Sequence, residues 1–276
     1  MFYFKNWECF CAFLQSKKIF CCTASESLNV MKDTQCIVLK HDVEGDVPKA
    51  YKLAQIETSH GIKGSYYVQG YLMKDSKNIA MLQEMQTWGH EISYHYDVLD
   101  ACNGDYERAI REFSDFLNLF YKAGFCFNTI CQHGNPVKRR VGYTSNRDFF
   151  RNEKVRTLYP QFVDMVVDYS HYVKYEYKYI SDAGYCWNII TLPETNDLYP
   201  DVKNIKIGSF SNLMDEVNKG VSLVISTHPH RWKSSFIAIY SHIYFFRIVR
   251  FVIKSILHIP GVENILSKFY FLAKKI

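Results

Sequence analysis

The sequence predicts an α/β fold of the parallel-barrel kind, and three observations predict it. Short apolar runs alternate with stretches of helical periodicity along most of the chain. Several of those runs stop at an aspartate, glutamate or histidine followed by a turn. The 276 residues carry no internal repeat or low-complexity tract, and α/β barrels of this length are commonly one domain.

The first strong run is Cys36-Ile37-Val38-Leu39-Lys40-His41-Asp42-Val43-Glu44. It reads as a buried strand delivering polar groups at its carboxyl end. Strand side chains alternate, so Asp42 and Glu44 share one face and His41 points the other way. Two neighbouring carboxylates repel and call for a cation or a shared proton. Capping is the simpler role for such acids, and Asp46 before Val47-Pro48 is a fitting N-cap for a helix over 47–60. A strand over 63–68 and a helix over 78–88 follow.

The third strand, His90-Glu91-Ile92-Ser93-Tyr94-His95-Tyr96, contains HExxxH, one residue too long for the helical HExxH zinc motif. On a strand, Glu91, Ser93 and His95 share a face, which makes His95 the candidate ligand. The amphipathic stretch 105–121 predicts a helix stopped by Gly124. Phe125 to Cys131 predicts a strand ending in Gln132-His133-Gly134-Asn135-Pro136. Residues 137–175 blur into loops and short helices. A strand over 177–181 leads to Asp182, a helix spans 210–217, and the apolar strand 221–227 ends at His228-Pro229-His230-Arg231-Trp232.

Thus Asp42/Glu44, His95, His133, Asp182 and His228 all stand at strand ends. In a parallel barrel those ends open on one face, where active sites are built. Any one histidine there is more simply a packing or surface residue; the repetition is what points to a site.

The strings Leu39-Lys40-His41-Asp42-Val43-Glu44, Gly89-His90-Glu91-Ile92-Ser93-Tyr94-His95-Tyr96 and Thr227-His228-Pro229-His230-Arg231-Trp232 resemble the NodB-type polysaccharide deacetylases (carbohydrate esterase 4-like). The likeness is to their divergent surface-glycan biosynthesis branch and covers residues 37–232. It implies a distorted (β/α)7 TIM-like barrel and metal-dependent removal of an N-acyl group from an amino sugar. It also implies Asp42 as the general base, Glu44 and His95 as metal ligands, and His228 as the acid protonating the leaving amine. Asp182 and Trp187 would be support residues, and His133 to Pro136 would line the site, with Asn135 and Arg147 as further substrate contacts. The cofactor would be a divalent metal, Zn²⁺ first, with Co²⁺ or Ni²⁺ as alternatives. Tyr66, Tyr94, Tyr96 and Trp187 are candidates for stacking on sugar rings.

The chain departs from that pattern at Leu99, four residues after His95, where a second ligand histidine is implied. His133 supplies the missing nitrogen, or the metal is held with extra water, or hydrolysis has been lost; His133 is favoured because it ends the adjacent strand. The readings are therefore a deacetylase, a catalytically inactive glycan-binding or scaffold barrel, and another metal-dependent amidohydrolase.

Composition bounds the partners. A formal net charge of +5, from 33 Lys and Arg against 28 Asp and Glu, makes no case for nucleic acid. Nine cysteines without framework or CxxC spacing read as unpaired thiols of a reducing, cytoplasmic compartment. Met1 to Cys22 lacks the layout of an export signal and predicts a helix across the barrel bottom. The domain reading is a barrel over 1–232 and an amphipathic tail over 233–276. Arg247, Arg250 and Lys254 line one stripe of a helix over 236–257, which packs on the barrel or lies on anionic lipid at the inner membrane face. The substrate would be an acetylated amino sugar or lipid-linked glycan.

Overall fold

A computed structural model describes residues 2–30, 34–135, 138–169, 177–195, 197–198, 203–241, 244 and 248. The fold is mixed α/β around one central sheet. Its elements in chain order are α1 (Phe4–Ser16), β1 (Phe20–Cys22), α2 (Ala24–Ser27), β2 (Cys36–Val43), α3 (Val47–Ser59), β3 (Ser65–Gln69), α4 (Ser76–Thr87), β4 (Glu91–Tyr96), α5 (Val98–Ala101) and α6 (Tyr106–Lys122). Then come β5 (Thr129–Gln132), α7 (Arg147–Arg151), α8 (Glu153–Leu158), β6 (Val163–Asp164), β7 (Lys178–Ser181), β8 (Trp187–Ile189), β9 (Ile205–Gly208), α9 (Phe210–Asn218) and β10 (Leu223–Thr227).

The sheet order is β6-β5-β4-β3-β2-β10-β7-β8-β9, parallel from β6 to β7, with β8 and β9 added antiparallel. No pairing closes it into a ring among the described residues. It nevertheless curls around a common interior: Val38, Tyr67, Cys131, Met165, Tyr179 and Val224 form one buried cluster although they come from both halves of the strand order. Tyr169, just past β6, spans toward β7 by donating its hydroxyl to the Tyr177 carbonyl at 2.6 Å.

Local chemistry accounts for the elements. All eight residues of β2 are buried, as a central parallel strand covered on both faces requires. Asp46 caps α3 by accepting from the Lys49 N–H, and Pro48 sits in the first turn. Helix α6 buries Ala109, Phe113, Leu117 and Phe120 and stops where Gly124 turns at φ +84°. Strand β5 is shorter than the expected 125–131 run because Phe125 and Phe127 pack back on Phe120 of α6, at 6.2 and 5.5 Å between ring centroids.

Two expectations are corrected, and one strand is added. Helix α1 does not cross the barrel bottom: Trp7, Phe10 and Leu14 pack on the outer face with Ile37, Leu39, Leu53, Leu223 and Ile225. Its apolar stripe takes the shelf beside α3, where burial of each large side chain is worth about 1.5–3 kcal/mol. The bottom is instead met by α2, whose Ala24 and Ser25 N–H groups bond Ser65 Oγ at 2.7 Å and Glu91 Oε2 at 3.1 Å, at the starts of β3 and β4. The cysteines are not all free thiols either. Cys22 and Cys36 are joined in a disulfide, because β1 runs beside the first half of β2. β1 itself was missed, being three residues long and followed directly by a capped turn.

Residues 236–241 are helical and continue the body: Lys233 pairs with Phe2 and Phe4, and Phe236 packs on Tyr3 at 4.9 Å. Most of the expected 236–257 helix, with Arg247, Arg250 and Lys254, lies outside the described residues. No helix among them is long and apolar enough to cross a membrane.

Candidate active site

Side-chain alternation along the parallel strands sorts residues into two layers. In β2, His41 faces outward to α3, where its Nε2 lies 2.8 Å from Glu57 Oε1, while Nδ1 pairs with Thr227 Oγ1 at 2.8 Å. Lys40 and Asp42 face inward and touch at 2.5 Å. Lys40 is 0% exposed; its ammonium also reaches Ser226 Oγ at 3.4 Å and lies 5.3 Å from the centre of the Tyr67 ring. Burial alone would raise the Asp42 carboxyl, but Lys40, then His95 and His228, outweigh it and hold it down to about 2.

Above this pair, three imidazoles surround one carboxylate. Glu44 Oε1 lies 3.2 Å from His133 Nε2, 3.8 Å from His95 Nε2 and 3.8 Å from His228 Nε2. Burial opposes ionisation of Glu44, yet His133, His95 and His228 keep it well below the usual carboxylate range. The His95 tautomer follows from its neighbour: Nδ1 donates to the Cys131 carbonyl at 3.1 Å, leaving the Nε2 lone pair free. That Nε2 is buried and has no hydrogen-bond partner among the described residues. Burial, more than any charge, lowers its basicity.

Donor atoms of Glu44, His95 and His133 all lie within 4.8 Å of one another. An orphaned imidazole nitrogen, a second imidazole and a carboxylate are the donor set that Zn²⁺, Co²⁺ or Ni²⁺ accept, so these residues fit a divalent metal. A deeper group of Asp42, His95 and Cys131 meets the same distance criterion. It fits worse, because the Lys40 ammonium already holds the Asp42 oxygen and a second cation would sit against it.

Across the site, His228 is set by Asp182. Asp182 Oδ1 accepts from His228 Nδ1 at 2.5 Å and Oδ2 from the His228 N–H at 3.0 Å; Arg231 Nη1 donates to Oδ1 at 2.7 Å. Burial opposes the Asp182 charge and Arg231 and His228 outweigh it, so the carboxylate stays ionised. His228 Nε2 is then the nitrogen turned to the site, 3.9 Å from Asp42 Oδ2. Asp42, Glu44, His95, His133, Asp182 and His228 are therefore brought together.

The other expected contacts are not. Tyr66, Tyr94, Tyr96 and Trp187 are fully buried in the outer layer: Tyr94 and Tyr96 pack on Phe113, and Trp187 on Phe2 and Phe210. Stacking on a sugar is closed to them, as the same strand parity that aims His95 inward sends Tyr94 and Tyr96 outward. Arg147 is engaged with Asp197 at 2.6 Å, and the Asn135 carbonyl accepts from Arg140 at 2.9 Å.

Three residues went unnoticed in the sequence. Lys40 had a signal, since it precedes Asp42 by two and shares its face. Tyr71 is 48% exposed and donates its hydroxyl to the Glu44 carbonyl at 2.7 Å, which puts an aromatic ring at the mouth. His230 stands against His228 at 5.8 Å; burial, followed by Arg231 and His228 opposing the pull of Glu44, drops it to about 3, and its Nδ1 has no hydrogen-bond partner among the described residues.

No family model matches the chain, and no curated protein does. Among solved structures it is similar to a family 4 carbohydrate esterase from Streptomyces lividans in complex with acetate, at 12% identity over 76% of this chain and 85% of that one, with a TM-score of 0.42. It is also similar to the peptidoglycan deacetylase PdaC from Bacillus subtilis, at 9% identity over 82% of this chain and 99% of that one, with a TM-score of 0.40.

Proposed function

We propose that the protein is a metal-dependent hydrolase that removes an N-acyl group from an amino sugar in surface-polysaccharide biosynthesis. The observation that carries the reading is the convergence of Glu44, His95 and His133 within 4.8 Å, opposite the His228–Asp182 pair and beside Asp42. The sugar substrate comes from the sequence motifs around Asp42, His95 and His228, which resemble those of polysaccharide deacetylases.

Glu44, His95 and His133 would hold the ion, which supplies Lewis acidity toward the amide carbonyl and makes water a better nucleophile. Asp42 stays charged because Lys40 sits beneath it, and its Oδ2, which takes only a long 3.3 Å hydrogen bond from Ser226 Oγ and faces His228 Nε2 at 3.9 Å, is the acceptor for the proton of the attacking water. Asp182 holds His228 Nδ1, so His228 Nε2 is the atom that carries a proton to the departing nitrogen. A C–O bond forms, the C–N bond breaks, and the products are a carboxylate and a free amine. The exposed backbone around Gly134 is where N–H groups would meet the developing oxyanion.

The tail adds a second element to this reading, contact with anionic lipid. Ile237, Tyr240, Tyr244 and Ile248 are exposed at helical spacing, and Arg247, Arg250 and Lys254 continue the sequence with basic charge.

The test is metal content by elemental analysis of wild type, His95→Ala and His133→Ala, followed by release of primary amine from acetylated amino-sugar oligomers. Near-stoichiometric metal lost in both variants, with amine release, is the expected result. A wild type that stays empty after incubation with Zn²⁺, Co²⁺ and Ni²⁺ would leave a glycan-binding barrel; metal without sugar turnover would leave another amidohydrolase.

A further inference from the structure

We propose that Asp100, with Asn146 and Arg140, is the positioning device that makes His133 a metal ligand in place of the histidine absent at Leu99. The inference rests on the metal-site reading above.

Leu99 is buried in the core with Tyr96, Val98 and Phe113, so the segment after β4 offers no donor to the site. Its next residue does something else. Asp100 is buried, and its carboxylate accepts from Arg140 Nε at 2.8 Å and Nη2 at 2.7 Å, from the Tyr143 hydroxyl at 3.0 Å and from Asn146 Nδ2 at 2.9 Å. All three partners belong to the segment that leaves β5 through His133. The Asp100 N–H donates back to Asn146 Oδ1 at 2.8 Å, which makes the Asp100–Asn146 contact reciprocal.

Two links carry this clamp to the site. Asn146 Nδ2 also donates to the His133 carbonyl at 2.9 Å, and Arg140 Nη2 to the Asn135 carbonyl at 2.9 Å. With the His133 N–H bonded to the Tyr96 carbonyl at 2.7 Å, both backbone groups of His133 are anchored. Beyond the 3.2 Å contact of Nε2 with Glu44 Oε1 in the site itself, the ring has no such hold: Nδ1 lacks a hydrogen-bond partner among the described residues. A metal-ligating histidine is ordinarily oriented through its second nitrogen. Here the backbone must do it, and the backbone is set by Asp100. The bidentate Arg140 pair is the geometrically specific part of the clamp, since two parallel N–H···O bonds fix a plane as well as a distance.

The experiment is Co²⁺ titration of metal-free protein, read by the visible absorption of the bound ion, for wild type, Asp100→Asn, Asn146→Ala and His133→Ala. Both clamp variants should lose about 10-fold or more in affinity, and their bands should weaken toward the spectrum of His133→Ala as coordination opens. In a His133→Ala background, Asp100→Asn should lower affinity no further, which a purely structural role would not produce. Asp197→Asn, which removes the carboxylate charge that Arg147 and Arg151 contact near the same loop without touching His133, should leave affinity unchanged. Should Asp100→Asn not fold, Arg140→Lys keeps the charge, removes the bidentate geometry and carries the same test. Clamp variants that fold and bind Co²⁺ with wild-type affinity and spectrum overturn the inference. A wild type that binds no Co²⁺ overturns instead the metal-site reading on which it stands.

Discussion

Replacing Glu57 with an apolar side chain should cost about 3–5 kcal/mol of stability. Glu57 is fully buried in α3 and joins four elements: it accepts from Trp7 Nε1 at 2.9 Å and from the Tyr66 hydroxyl at 2.8 Å, and pairs with His41 Nε2 at 2.8 Å. His90 Nδ1 lies 3.7 Å away, and Gly64 is required beside it because a Cβ there would meet Glu57 Oε2 at 2.8 Å. In Glu57→Leu, two buried donors lose their acceptor at about 1–3 kcal/mol each, and His41 Nε2 loses its partner. Removing one partner of a buried pair costs about 3–5 kcal/mol, and we expect a loss in that range. Glu57→Gln keeps the shape and one good acceptor, so it should cost about 1–2 kcal/mol. Urea unfolding followed by tryptophan fluorescence reads both, with the slope unchanged. Burial opposes the Glu57 charge, but His41 and then His90 and Tyr66 keep its carboxyl below 4.5. A depressed carboxyl contributes its full stability above the unfolded value and loses it as pH falls through the folded one. The gap between wild type and Glu57→Gln should therefore narrow below about pH 4.5. If Glu57→Leu is within about 1 kcal/mol of wild type, or the gap widens in acid, the cluster is not a stability hub. The functional stake is position: His41 precedes Asp42, and its Thr227 partner precedes His228.

Three further outcomes follow from the site and the tail. Lys40→Met should destabilise by about 3–5 kcal/mol in a denaturant titration, because it leaves Asp42 buried without its cation, and adding Asp42→Leu should recover most of that loss; no recovery would mean that Lys40 acts through packing alone. Leu99→His should not tighten Co²⁺ binding, and should lower the melting point through about 1–3 kcal/mol of buried polar cost; tighter binding would contradict the core placement of residue 99. Ile237→Asp combined with Tyr240→Asp should reduce co-sedimentation with vesicles rich in anionic phospholipid, and an unchanged bound fraction would count against the lipid contact.

Much of the site could be reasoned from strand parity. Asp42 and Glu44 against His41, and Glu91, Ser93 and His95 on one face, follow from a period of two that needs no knowledge of the fold. The same rule, applied further, would have paired Lys40 with Asp42 and turned Tyr94 and Tyr96 away from the site. Caps were readable too, since Asp46 and Asp105 act within three residues of themselves. What parity could not reach was partners. The Lys40–Ser226 and His41–Thr227 contacts each span 186 residues and exist because β10 inserts beside β2 in register.

By itself, then, the sequence determined the alternation of strand and helix, the polar strand ends and the face each side chain takes, because those depend on spacing along one segment. Tertiary structure alone decided that His133 meets Glu44, that Asp182 meets His228, that α1 lies on the outer face and that Cys22 pairs with Cys36. These depend on strand order and register, which arise from how whole elements pack, and no local pattern encodes the distance between two strands far apart in the chain.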